Sequence, residues 1–169
     1  MSPLLANIGL HGLETYIKKC NQKVGVIRYA DDFVVTAKDK ESLELLGVQI
    51  NQWLSERGLN LSSRMTRIVH ISEGFDFLGF NLRQYKVKDD NGVLRDKLLI
   101  KPQKSKVLEF CKKVGAAIDS MKTKTPEQVS RSLEPLLRGF ANYYRGVVSK
   151  ETFSTRRVTS RYIPENPSK

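Results

Sequence analysis

Apolar positions change their period several times along this chain, and each change marks an element. After Ser2-Pro3, Leu5, Ile8, Gly12 or Leu13, and Tyr16 or Ile17 recur at helical steps. Ser can cap the first free amides and Pro gives up no hydrogen bond at the first helical position, so the pattern predicts one helix ending near Cys20. Val24 to Ala37 is rich in β-branched and aromatic residues on both sides of Ala30-Asp31-Asp32, which predicts two short strands joined there. From Asp39 to Arg57 the helical period returns through Leu43, Leu46, Ile50 and Trp53 or Leu54, with Gly58 placed for a left-handed end cap. Leu59, Leu61, Ile68, Val69 and Ile71 suggest further short strands. Phe75 to Leu82 and Leu94 to Ile100 read as a strand pair turning at Asp89-Asp90-Asn91-Gly92.

Beyond Lys101-Pro102 only helical periods remain. Ser105 to Met121 is one expected helix, and Thr125-Pro126-Glu127-Gln128 combines a capping box with Pro in the first turn of the next. Pro135 is expected to break or restart that helix, with Leu136, Leu137, Phe140, Ala141 and Tyr144 as its last apolar stripe. The pattern is that of an α+β part followed by an all-helical part.

Charge sharpens the division. Residues 1–100 carry 14 Lys or Arg against 12 Asp or Glu, whereas residues 101–169 carry 15 against 6, so most of the +11 net charge lies in the second part. An uneven basic half is the electrostatic footprint of a surface that meets phosphates. No apolar run approaches the roughly 20 residues a bilayer span needs, and no membrane partner is expected. Cys20 and Cys111 are too few for a zinc site and read as two reduced thiols of a cytoplasmic protein.

One pair of residues carries candidate chemistry. Asp31-Asp32 falls between Val-Ile-Arg-Tyr-Ala and Phe-Val-Val-Thr-Ala, a context expected to be buried on both sides, whereas Asp89-Asp90 lies in a polar loop. Adjacent carboxylates repel each other unless a cation is near. Hard oxygen donors on a tight turn suit Mg²⁺, which binds through one or two carboxylates plus substrate phosphates.

Tyr29-Ala30-Asp31-Asp32, preceded by Val26-Ile27-Arg28 and followed by Phe33-Val34, resembles the catalytic turn of reverse transcriptases, and more specifically of the group II intron reverse transcriptase/maturases. Ser2-Pro3-Leu4-Leu5-Ala6-Asn7-Ile8 resembles the family's segment after its Pro-Gln-Gly motif, Gly58-Leu59-Asn60-Leu61 and Thr66-Arg67-Ile68 the strand and loop after the palm helix, Gly74-Phe75-Asp76-Phe77-Leu78-Gly79-Phe80 the primer grip, and Leu137-Arg138-Gly139-Phe140-Ala141-Asn142-Tyr143-Tyr144 the maturase or thumb domain, all in the family's order. The resemblance implies a partial palm over residues 1–100, made of antiparallel strands with two helices. It implies an all-helical thumb or maturase domain over residues 101–153, with residues 154–169 as a divergent, disordered tail. It also implies two-metal nucleotidyl transfer by an RNA-directed DNA polymerase using Mg²⁺ or Mn²⁺. Asp31 and Asp32 would be the catalytic metal ligands. Tyr29, Ala30, Leu78 and Gly79 would lie at the primer, and Lys101, Lys104, Lys106, Arg138, Tyr143 and Arg145 would contact RNA, while Tyr144 falls on the apolar stripe and reads as core. The implied partners are a group II intron RNA, an RNA template with a DNA primer, and a separate chain supplying the N-terminal half; the implied setting is bacterial or organellar.

Two departures qualify the enzyme. The family's other catalytic Asp, its fingers and its Pro-Gln-Gly motif precede the segment that matches Met1 onward, and Met65 stands where the family carries Lys. The expectation is therefore a polymerase by family that is inactive as this isolated chain. The alternative is a non-catalytic RNA-binding maturase remnant.

Overall fold

The computed structural model describes residues 3–88 and 92–149. It is an α+β chain with elements in the order α1 (Pro3–Gly9), α2 (Leu13–Cys20), β1 (Gly25–Tyr29), β2 (Asp32–Thr36), α3 (Lys40–Ser55), β3 (Phe75–Phe77), β4 (Phe80–Lys88), β5 (Leu94–Pro102), α4 (Lys104–Asp119) and α5 (Pro126–Tyr144). They form two compact units, Met1–Val69 and His70–Lys169. Helices α4 and α5 therefore share a unit with the β3–β5 sheet, and the division falls well before the Lys101 boundary that charge suggests. No described helix is long and apolar enough to cross a membrane.

In the first unit, the single helix expected up to Cys20 is two. Gly12 adopts φ +86°, a left-handed conformation that ends the regular ladder. The break leaves Leu5 and Ile8 exposed, while Leu10, Leu13 and Ile17 enter the core with Val24, Leu46, Ile50, Trp53 and Leu54. α3 begins where the pattern places it. Asp39 caps it by accepting from the Ser42 amide at 2.8 Å, and those hydrogen bonds hold the Asp39 carboxyl below its ordinary pKa. Gly58 takes the expected left-handed conformation at φ +68°. No strand forms among residues 59–71. Leu59 and Leu61 instead pack against the core, and Ser62 accepts from the Met65 and Thr66 amides in a tight turn.

In the second unit, β3, β4 and β5 form an antiparallel sheet in chain order. The turn expected between β4 and β5 has its Asp89-Asp90-Asn91 part outside the described residues, as does the Ser2 cap. The Thr125–Gln128 capping box is present as expected. Pro135, however, does not interrupt α5, which runs unbroken from Pro126 to Tyr144. Half-buried Val129, Leu133, Leu136 and Phe140 and buried Tyr144 keep one helical stripe in register on both sides of it. Phe140 stacks on Phe110 of α4, centroids 3.8 Å apart. Tertiary packing of that stripe outweighs the one hydrogen bond that Pro135 removes.

Candidate functional site

The acidic turn is a two-residue hairpin. β1 and β2 pair from Gly25↔Thr36 to Tyr29↔Asp32, leaving Ala30 and Asp31 as the loop, so Asp32 already belongs to β2. Ala30 sits at φ +54°, and Asp31 does not share that sign, which is the pattern of a type II′ turn. Glycine is the usual residue at that first position, and a β-carbon there costs about 1–2 kcal/mol. The hairpin is not buried on both sides as its composition suggests. Val26, Phe33 and Val35 pack on the core, whereas Ile27 and Tyr29 face outward. Side chains alternate across a strand and cross-strand partners share a face, so Asp32 lies on the outward face with Tyr29.

Asp31 and Asp32 are both exposed, and among the described residues neither carboxylate has a hydrogen-bond or ion-pair partner. What holds the turn is Arg28, which is on the inward face. Its guanidinium donates to the Ala30 carbonyl at 2.9 Å, to Asn7 Oδ1 of α1 at 2.9 Å and to Glu14 Oε1 of α2 at 2.9 Å. Its side chain is only 16% exposed. Three charge-assisted bonds into three elements make Arg28 the anchor of the strained loop. Sequence reading missed it, because nothing in the spacing shows which carbonyl a basic residue will reach; the only signal is a charge inside an apolar strand.

The residues present fit a divalent cation in kind. Two neighbouring carboxylates with no internal cation to neutralise them are hard oxygen donors at the surface of a fixed turn. Among the described residues, no group of three or more His, Cys, Asp or Glu side chains is close enough to hold a metal. Met65, at the position expected to carry Lys, is 82% exposed.

The second candidate tip, Leu78-Gly79, is also a two-residue hairpin loop, closed by Phe77↔Phe80. Both loop residues have positive φ, +50° and +78°, the requirement of a type I′ turn. Both carbonyls are occupied. The Tyr143 hydroxyl donates to Leu78 O at 2.7 Å, the Tyr144 hydroxyl donates to Gly79 O at 3.0 Å, and the Gln103 amide donates to Gly79 O at 2.9 Å. A β-carbon on Gly79 would meet the Tyr144 hydroxyl at 3.2 Å. The fold alone thus accounts for Gly79. Tyr144 is buried at 3% exposure, and burial, with the neighbouring Tyr143, raises its phenol above the ordinary pKa, so it stays a donor. Tyr143 remains half open, with its ring stacked on Phe80 at 5.1 Å.

The remaining basic candidates divide. Lys106 pairs with Glu109 at 2.9 Å and Arg138 pairs with Glu134, each one turn along its own helix. Lys101 lies over the Tyr85 ring, 4.9 Å from its centroid. Lys104 and Arg145 are exposed and have no partner among the described residues. Cys20 and Cys111 are free thiols, and burial raises the pKa of Cys111.

Comparison with known proteins supplies two family matches. The model for "Reverse transcriptase (RNA-dependent DNA polymerase)" matches residues 1–82, and the model for "Group II intron, maturase-specific domain" matches residues 107–163. No curated protein matches the chain. Together the two matches take in the acidic turn, the Leu78-Gly79 tip and α5, in the order that the motifs suggested.

Proposed function

The chain belongs to the group II intron reverse transcriptase/maturase family, and on that basis we propose that it is an intron-RNA-binding module that keeps a metal-binding turn but does not polymerise by itself. The two matched regions imply binding to nucleic acid such as intron RNA, and the reverse transcriptase family generally uses divalent metals. The observation that carries the reading is the acidic tip. Asp31 and Asp32 stand exposed on a strained loop that Arg28 ties to α1 and α2, and no side chain among the described residues neutralises them. Two like charges held side by side on a fixed turn repel each other, and a cation placed between them removes that repulsion.

In this reading Asp31 is the principal ligand for Mg²⁺ or Mn²⁺ and Asp32 the second. A cation held there supplies positive charge against a nucleic-acid phosphate. Arg28 keeps the turn in place, and Tyr29, on the same outward face as Asp32, offers an exposed ring beside the nucleic-acid end. Nucleotidyl transfer asks mainly for positioning of two metals and a triphosphate. Among the described residues, two carboxylates on one turn, with uncharged Met65 in the loop after α3, are too few donors and cations for that task. A DNA primer and an RNA template are the further partners that polymerisation would need.

Mn²⁺ titration followed by NMR tests the metal site. Amide signals of Ala30 to Phe33 should broaden at sub-stoichiometric Mn²⁺, and Asp31→Ala should abolish the broadening while leaving RNA affinity unchanged. Uniform weak broadening over all surface carboxylates would refute the site. Mg²⁺-dependent primer extension by the purified chain, lost in Asp31→Ala, would refute the claim that it does not polymerise.

A further inference from the structure

The strongest unassigned feature is one face of the β4–β5 hairpin, which falls largely in the stretch between the two family matches. The register pairs Asn81 with Lys101, Arg83 with Leu99, Tyr85 with Lys97 and Val87 with Arg95. Directly opposed residues share a face and every second residue continues it. One face therefore gathers Arg83, Arg95, Lys97 and Lys101 around Tyr85. Asp96 is the only carboxylate on the described residues of these two strands, and it lies on the other face, opposite Lys86. Asp76 of β3 joins the inner end of the basic face, but its oxygens accept from Asn81 Nδ2 at 2.7 Å and Gln103 Nε2 at 3.0 Å.

Among the described residues, Arg83, Lys97 and Lys101 have no acidic partner, in contrast to Lys106 and Arg138 on the helices. Tyr85 contacts two of these cations, with the Arg83 guanidinium carbon 5.4 Å and the Lys101 ammonium 4.9 Å from its ring centroid. Cation–π contacts at such distances hold long basic side chains against a ring at little cost to their charge. The Arg83 Nε also donates to the Ser72 carbonyl at 2.8 Å, which fixes its stem and leaves its terminal nitrogens for another acceptor.

Resting on the RNA-binding reading above, we propose that this face is a docking surface for the RNA backbone, with Tyr85 as the positioning residue that spreads Arg83 and Lys101 toward successive phosphates. Cations spaced along one face of the hairpin, of which Arg83, Lys97 and Lys101 have no acidic partner among the described residues, complement a polyanion. A lipid surface fits less well. Membrane-binding faces bring apolar side chains to the bilayer beside their cations. Here exposed Leu94, Leu98 and Ile100 lie on the opposite face, and the basic face carries only Val87 and half-buried Leu99 as its aliphatic residues.

The test compares two double variants of the full chain that remove equal charge from the same hairpin, Lys97→Gln/Lys101→Gln on the proposed face and Lys86→Gln/Lys88→Gln on the other. Affinity for a fluorescein-labelled RNA stem-loop is measured against salt, with far-UV circular dichroism as the check on folding. The first variant should lower the slope of log affinity against log salt by about 1.5, and the second by less than half as much. Tyr85→Leu, which removes no charge, should weaken binding about threefold. Equal losses from both faces, or none from the first variant, would overturn the docking surface and leave the RNA-binding reading intact. A wild-type chain with salt-independent or undetectable RNA affinity would overturn that reading and the docking surface with it. Retained RNA binding in Lys97→Gln/Lys101→Gln, together with lost binding to phosphatidylserine vesicles, would assign the face to lipid instead.

Discussion

The two hairpin tips are built on the same economy and used in opposite ways. Each is a two-residue loop, and each puts a non-glycine residue, Ala30 or Leu78, at positive φ; among the described residues these are the only two. The Ala30-Asp31 tip is anchored from behind by Arg28, and its acidic groups are exposed with no partner among the described residues. The Leu78-Gly79 tip has its carbonyls taken by two tyrosine hydroxyls and a backbone amide. Strain at the first is stored in a presented site, and strain at the second is held by the helix that covers it. Unusual backbone conformation therefore marks both tips as places the fold goes out of its way to maintain, but only the pattern of partners says what each one presents.

The largest effect that would break this contrast is expected at Tyr144. Tyr144→Ala removes a buried ring that touches Phe80, Phe140 and Tyr143, together with a hydrogen bond to Gly79. It should cost about 3–5 kcal/mol, read as loss of protected amides in β4 and α5 by hydrogen exchange. Gly79→Ala should cost about 2 kcal/mol, combining a left-handed backbone with the 3.2 Å contact to Tyr144. If it were neutral, the tip would not be held by the tyrosines. Arg28→Met should cost about 1–2 kcal/mol, and here the readout is the single tryptophan, Trp53, in the core of the first unit. The same variant should also weaken Mn²⁺ broadening at Asp31, which a purely global loss of stability would leave intact at low temperature. The smallest effect belongs to Ala30→Gly. Relief of positive-φ strain is offset by the entropy of glycine, so the midpoint should move by about 0.5 kcal/mol or less. A large destabilisation there would mean that the alanine methyl itself is packed.

Much of this was legible in the residues. The β-branched runs around Ala30-Asp31-Asp32, the Asp39 cap, Gly58 and the Thr125 capping box are local signals, and local geometry obeyed them. Gly12 occupies a possible stripe position, but its left-handed backbone inside a helical period splits the helix. Pro135 failed the other way, because an apolar stripe in register across it decided the outcome. The apolar residues between Leu59 and Ile71 had strand composition but no strand partner. The anchors could not be read at all. Arg28 reaches 21 residues back to Asn7, and Tyr143 and Tyr144 reach 65 residues back to the Leu78-Gly79 loop. Periodicity reports which face a residue is on, never which distant carbonyl it meets.

The pairing of adjacent tyrosines with adjacent carbonyls has an evolutionary consequence. A helix turns by about 100° per residue, so inserting or deleting one residue in α5 between Pro126 and Asn142 would swing both hydroxyls off the loop together. Point changes along the solvent side of α5 can accumulate freely, but its length is locked to a hairpin far upstream in the chain. Homologous chains that lengthen this helix should do so in multiples that restore the phase, or should carry a different residue pair at its end.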